Sequence, residues 1–256
     1  MRGWSVKWAS ALSILFLILI TCCNAANAQI ADQTNGWYMY FGNHRLSERW
    51  GVHSEYQWRR HGFVEHWMQS LVRIGVNHHL PGGVIISSGY GWIRSFPYGE
   101  QPIPAEFDEH RLWQQLVFGQ QIGRFHFQHR YRLEQRWMEQ KTLVEGGDDF
   151  ERMGMIFRQR MRYRFFVSIP LIGPELSDNS LFLALYDEPF IQFGSNIGLN
   201  VLDQNRLYAA LGWRIDKNRN VQIGYLNHYW IKPDGVRAER NHTLQVGITW
   251  DLDLRP

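Results

Sequence analysis

The sequence predicts an all-β chain that closes as an antiparallel up-and-down transmembrane β-barrel of about twelve strands, with ten as the alternative. Beyond Gly36, apolar and polar residues alternate in segments too long for ordinary soluble strands. The first 28 residues read as an export signal. The connections between segments alternate between short and long, as outer-membrane barrels alternate periplasmic turns with external loops. In a strand, successive side chains point to opposite faces, so each segment has one apolar and one polar face. A soluble sandwich turns its polar face to water, whereas a membrane barrel turns its apolar face to lipid and its charges to a lumen. A soluble lipocalin-like barrel is the main alternative fold.

In the leader, Arg2 and Lys7 supply the positive region and Ala11 to Ile20 the apolar stretch. That stretch, at about ten residues, is too short to span a bilayer of roughly 30 Å as a helix. Ala26-Asn27-Ala28 forms a small-residue cleavage site, which places cleavage between Ala28 and Gln29. A lipoprotein reading would acylate Cys22, but Thr21 before it is bulkier than that processing accepts. Both cysteines, Cys22 and Cys23, then leave with the leader, so the mature chain has no disulfide and no cysteine ligand or nucleophile. Arg2 and Lys7 are the leader's share of 27 basic residues, and none of the 24 acidic residues lies there. The mature balance is 25 against 24, which gives no electrostatic reason for a nucleic-acid partner. No later stretch approaches 18 uninterrupted apolar residues, so no transmembrane helix is expected. Residues 29–256 read as a single barrel domain.

Eleven strand candidates follow, at 37–44, 49–60, 65–79, 84–94, 108–121, 124–138, 151–169, 181–192, 206–216, 221–232 and 241–254. Pro81-Gly82-Gly83, Ile122-Gly123, Gly146-Gly147-Asp148 and Lys217-Asn218-Arg219-Asn220 separate several of them with turn chemistry. In the sixth, Phe125, Phe127, Tyr131, Leu133 and Trp137 oppose His126, Gln128, Arg130, Arg132, Glu134 and Arg136. The seventh carries Met153, Ile156, Phe157 and Met161 at nearly helical spacing. A helix would smear Arg158, Arg160, Arg162 and Arg164 around its circumference, and only a strand puts all four on one face. The last three alternate most cleanly. Leu207, Ala209, Leu211, Trp213 and Ile215 face away from Arg206, Tyr208, Gly212, Arg214 and Asp216. Val221, Ile223 and Tyr225 oppose Gln222, Gly224 and His228, and Leu244, Val246, Ile248, Trp250 and Leu252 oppose Thr243, Gln245, Gly247, Thr249 and Asp251. Trp and Tyr near the ends of the apolar sets suit interfacial aromatic girdles. Bacterial barrels normally have an even strand number, so a strand in or before residues 29–36, or one split or merged elsewhere, is the expected difference.

The segments WGVHSEYQWR, FHFQHRYRLEQRW, YDEPF, DQNRLYAALGWRIDKNRNVQIGYLNHYW and NHTLQVGITWDLDL carry a family resemblance. Together they resemble a bacterial barrel family known as domain of unknown function 2490, over most of the mature chain. The most specific positions are Glu188, Asn205-Arg206, Gly212 and Gly224-Tyr225. The resemblance implies an outer-membrane β-barrel and no established activity. Gln245, Gly247, Trp250 and Leu252 are similar to the C-terminal signal by which barrels are recognised for membrane assembly, although a terminal Phe is absent.

The expected chemistry lies on the polar parity. Arg158, Arg160, Arg162 and Arg164 recur about 6.6 Å apart on one face of a strand, beside Arg130, Arg132, Glu134 and Arg136 on the preceding one. Such crowding of cations needs intervening acids or anions. Glu134, Glu188, Asp216 and Glu55 are the candidate acids, with Glu188 expected among Arg158, Arg160, Arg162 and Arg206. One reading is a lumen filled by a charge network that also includes Arg206 and Arg214; another is a narrow anion-attracting pore. Eleven histidines invite a metal reading, but His126 and His129 face apart in a strand, and the set shared by His53, His126 and His228 has no carboxylate spacing to complete it. No metal or other cofactor is expected. A lipid-processing enzyme would need Ser, His and an orienting Asn or acid in contact; Asn227 and His228 face opposite ways and no serine stands out. The expected partners are outer-membrane lipids, the barrel assembly machinery and small anions in the lumen, in the outer membrane of a Gram-negative bacterium.

Overall fold

Each alternating segment forms a strand that pairs with the next through a hairpin. The structure, a computed structural model, describes residues 29–255. The expected leader, including Arg2, Lys7, Cys22 and Ala28, lies outside the described residues, of which Gln29 is the first. The strands are β1 (Gln29–Arg45), β2 (Trp50–His61), β3 (His66–His79), β4 (Ile85–Ser95), β5 (Phe107–Ile122), β6 (Phe125–Leu143), β7 (Phe150–Pro170), β8 (Ser180–Phe193), β9 (Leu202–Asp216), β10 (Arg219–Ile231) and β11 (Arg237–Trp250). Among the described residues the only helical element is a 3₁₀ turn at Pro81–Gly83.

The sheet closes on itself in chain order. Neighbours are antiparallel except at the seam, where β1 runs parallel to β11 from Gln29 opposite Arg237 to Phe41 opposite Thr249. Among the described residues the barrel therefore has eleven strands, between the ten and twelve expected. Residues 29–36 are not a separate strand; they extend β1 and pair with β11 from Arg237 to Leu244. With an odd number of up-and-down strands, the first and last point the same way, so closure takes a parallel ladder.

Connections 46–49, 80–84, 123–124, 171–179 and 217–218 lie at one end, with the last residues of β11. Connections 62–65, 96–106, 144–149, 194–201 and 232–236 lie at the other, with Gln29. The alternation of short turns and longer loops holds except at 62–65 and 171–179. Two-residue hairpins join β5 to β6 through Gly123 and Arg124 and β9 to β10 through Lys217 and Asn218, and Gly123 has φ +58°, a conformation that favours glycine.

The two faces are inverted relative to a soluble protein. Arg130, Arg132, Glu134 and Arg136 of β6 are buried inside, while Tyr131 between them is exposed outside. Outward apolar side chains stay open to the surroundings: Ile74 is 58%, Leu211 51% and Ile223 53% exposed. Trp50, Trp213 and Trp250 are exposed around the short-turn end, and Phe63, Trp67, Phe150 and Phe193 around the long-loop end. The lumen is not wholly polar. Trp37, Met39, Phe182, Ala184, Tyr208 and Ala210 pack together inside it, and Leu176 of connection 171–179 packs against them. Fully buried Trp113 needs a flat floor, which Gly75 and Gly89, paired across β3 and β4, provide. A Cβ at either would stand 2.6 or 2.7 Å from the indole.

Candidate functional site

Register places like charges opposite one another. Across β6 and β7, Arg130 faces Arg164, Arg132 faces Arg162 and Arg136 faces Arg158; only Glu134 faces a cation of opposite sign, Arg160. Directly opposed like charges destabilise a sheet, so the arginines turn to carboxylates from across the lumen. Glu134, 0% exposed, is the hub. Its Oε1 accepts from Arg162 Nη1 at 2.9 Å, Arg111 Nη1 at 3.2 Å and Arg73 Nη2 at 3.4 Å. Its Oε2 accepts from Arg160 Nη2 at 2.7 Å and Nε at 3.0 Å. One carboxylate thus ties β3, β5 and β7 to β6.

Three further acids extend this septum. Glu55 on β2 accepts from Arg73 Nη1 at 2.5 Å and contacts His53 Nε2 at 3.3 Å. Glu109 on β5 takes a two-pronged bond from Arg136, both at 2.8 Å, and one from Arg111 Nε at 2.7 Å. Glu188 on β8 accepts from Arg130 Nη2 at 2.6 Å and from Arg162 Nη2 at 2.8 Å. Arg160 also donates to Asp203 on β9 at 2.7 Å. Charge-assisted bonds of this kind are the stronger sort, and sharing each carboxylate among several guanidiniums offsets the cost of burial.

The placement corrects several expectations. Glu188 pairs with Arg130 and Arg162, not with Arg158 or Arg160, because Arg160 is drawn to Glu134 and Asp203. Arg158 is half-buried opposite Arg136 and stays out of the septum. Arg214 leaves the lumen network for Asp178 at 3.4 Å. Asp216 closes the β9–β10 turn through Arg219 at 2.5 Å and the Asn218 amide at 2.8 Å. Both lie at the short-turn end, too far along β9 to reach the centre. Arg73, Glu109, Arg111 and Asp203 were absent from the expected network. For Glu109 and Arg111 the signal was there, since they alternate with Leu112 and His110 on the lumen parity of β5; Arg73 stands alone among apolar neighbours, and no ladder marks it. Of the assembly-signal positions, Gln245 accepts from Tyr186 Oη at 3.2 Å inside the barrel, Gly247 is inside, Trp250 is outside and Leu252 follows β11.

The septum divides the lumen. A cavity of about 350 Å³ lies on the short-turn side and one of about 100 Å³ on the long-loop side, and Arg73, Arg162 and Arg206 line both. Connection 96–106 folds over the smaller one. Tyr98 Oη donates to Glu239 Oε2 at 2.8 Å, and Lys232 Nζ donates to Glu239 Oε1 at 2.5 Å and to the Gln101 carbonyl at 3.3 Å.

No group of three or more His, Cys, Asp or Glu among the described residues is placed to hold a metal ion. The outer face does bring a serine to a histidine: Ser54 Oγ lies 2.9 Å from His44 Nε2. The arrangement is reversed for a general base. The Leu252 amide donates to His44 Nδ1 at 3.2 Å, so the ring proton sits on Nε2, and His44 donates to the serine instead of accepting from it. Asn227 bonds outward to Tyr225 Oη at 3.4 Å, while His228 faces inward onto Gln204 at 3.0 Å.

No curated protein and no solved structure matches the chain. The family described as protein of unknown function (DUF2490) matches residues 34–239, from β1 into β11, and the chain belongs to that family.

Proposed function

We propose that the mature chain is an outer-membrane β-barrel of a Gram-negative bacterium, with lipid against its apolar outer face and its lumen closed at mid-height by the arginine–glutamate septum. The carrying observation is the inversion of polarity. Among the described residues the structure buries eleven Lys and Arg side chains with six carboxylates, while the outward parity exposes Ile74, Leu211 and Ile223. An aqueous surface rarely leaves so much contiguous apolar area uncovered, whereas lipid covers it at no cost. The short-turn end then faces the periplasm and the long loops face outward. Closure is supported by Glu134, which is fully buried among four arginines, and by Tyr98 reaching over the long-loop mouth. In this reading the septum is structural, and the barrel is not a general pore.

Two measurements test the proposal. The protein should fractionate with outer membranes and run faster on gels unheated than boiled; recovery as a soluble periplasmic protein would reject the membrane reading in favour of a lipocalin-like barrel. In planar bilayers the folded protein should be electrically silent. A steady anion-selective conductance would reject closure and establish the pore.

A further inference from the structure

Four buried or partly buried arginines are held by glutamines rather than by acids. Arg132 donates to Gln115 Oε1 at 2.7 and 3.1 Å, Arg164 to Gln128 Oε1 at 2.8 Å, and Arg206 to Gln204 Oε1 at 3.3 Å. Arg59 donates to Gln69 at 2.6 Å and to Gln57. An amide oxygen fixes a guanidinium in place without neutralising it. Each of these arginines also lies against an aromatic face: Arg132 at 5.2 Å from Trp113, Arg164 at 5.6 Å from Phe166, Arg206 at 4.9 Å from Trp37 and Arg59 at 3.9 Å from Trp37. Among the described residues Arg164 and Arg206 have no carboxylate oxygen within 4.0 Å, and Arg132 reaches only Glu55, at that limit. The Nε atoms of Arg130, Arg164 and Arg206 are buried without a hydrogen-bond partner.

Three of these, Arg132, Arg164 and Arg206, line the 350 Å³ chamber on the short-turn side. With Arg73, Arg130 and Arg162, six arginines face it, against the acids Glu55, Glu188 and Asp251. A network built only for stability would pair each cation with an acid, as Glu134 and Glu109 do nearby, because an uncompensated buried charge is costly. The lining also carries apolar and aromatic side chains, Trp37, Phe41, Phe166 and Tyr208 among them, beside neutral polar ones such as Gln57, Gln222 and Gln245. We propose that this chamber is a binding site for a small dianionic oxyanion with an apolar or aromatic body, whose charge is taken by Arg132, Arg164 and Arg206 as positioned by Gln115, Gln128 and Gln204. The site is a property of the folded barrel; only its access from the periplasm rests on the membrane reading.

The test uses the mature barrel purified in a non-ionic detergent, with folding checked by its unheated gel mobility. Phenyl phosphate, inorganic phosphate, benzoate and chloride are titrated calorimetrically. Phenyl phosphate should bind saturably with one site per chain. Inorganic phosphate and benzoate, each lacking one half of the recognised chemistry, should bind at least about tenfold more weakly. Gln115→Glu and Gln128→Glu, which supply the missing acids, should lower affinity for phenyl phosphate by at least about tenfold while the barrel still folds. Arg206→Gln should do the same. Absence of saturable binding by the folded wild type would overturn the proposal, as would displacement by equimolar chloride, or affinity unchanged in folded Gln115→Glu and Arg206→Gln proteins. Equal affinity for inorganic phosphate would reject the apolar half of the recognised ligand. Any of these results leaves the membrane reading standing, because gel mobility and fractionation report on it separately.

Discussion

At Glu134, four guanidiniums depend on one carboxylate. Removing that charge leaves like charges buried together, and breaking one side of a buried ion network costs about 3–5 kcal/mol. Glu134→Gln should therefore sharply reduce the heat-modifiable fraction on gels and lower the melting temperature in detergent. Glu188→Gln, which releases only Arg130 and Arg162, should do less damage. Arg158→Gln should be tolerated, since Arg158 lies outside the septum, whereas Arg160→Gln removes the bridge between Glu134 and Asp203. Equal melting temperatures for the two arginine variants would show that the septum does not carry stability. The sequence told which residues face inward, because a period of two assigns faces without any knowledge of partners. It could not tell which acid meets which arginine. Glu188 is opposite Arg206 in the ladder, yet its bonds go to Arg130 on β6 and Arg162 on β7; those pairings depend on how far long side chains reach across a closed lumen.

An element is defined here by its two faces, and a charge tests which face is which. Leu211 on β9 and Val246 on β11 point outward near mid-strand. If lipid surrounds the barrel as proposed, a cation there sits in hydrocarbon, at a cost of about 2–4 kcal/mol at the bilayer midplane. Leu211→Arg and Val246→Arg should lower the yield of assembled barrel, measured as unheated gel mobility in outer-membrane fractions. Thr249→Arg points into the 350 Å³ chamber and should assemble nearly as well as the wild type. Equal loss from both faces would mean that lipid does not surround the barrel. Most strand bodies were legible for the same reason of periodicity, including β7, where four alternating arginines outweighed a helical spacing of methionine and isoleucine. The ends were less legible. Residues 29–36, QIADQTNG, show no clear apolar face, yet they form the first half of β1. Their inward set includes Gln33 and Asn35, and Asn35 is satisfied by Asn241 at 2.7 Å, a pairing that only the closed seam supplies.

The strand number belongs to the whole molecule, and no single segment announces it. Eleven candidates were visible as periodic segments, but the tendency of bacterial barrels toward even numbers pulled the expectation to ten or twelve. The parallel seam resolves the conflict: extending β1 back to Gln29 gives it enough length to pair with β11 over thirteen positions, from Gln29 to Phe41, and no twelfth strand is needed. This closure can be tested directly. Tyr38 and Val246 are register partners across the seam, and neighbouring strands stand about 4.8 Å apart, within the Cα separation that a disulfide accepts. The cysteines of the sequence are Cys22 and Cys23, so the described residues bring no competing thiol. In the folded Tyr38→Cys, Val246→Cys protein, mild oxidation should give an intramolecular cross-link, seen as a mobility shift of the boiled, unreduced chain. Tyr38→Cys with Ile223→Cys should not cross-link, because β10 lies one strand further away, roughly 9.6 Å from β1. If the first pair stays reduced while the barrel is heat-modifiable, β1 and β11 are not neighbours. The barrel would then close by another strand or stand open at this edge, where the unpaired backbone groups of β1 could not be satisfied by lipid.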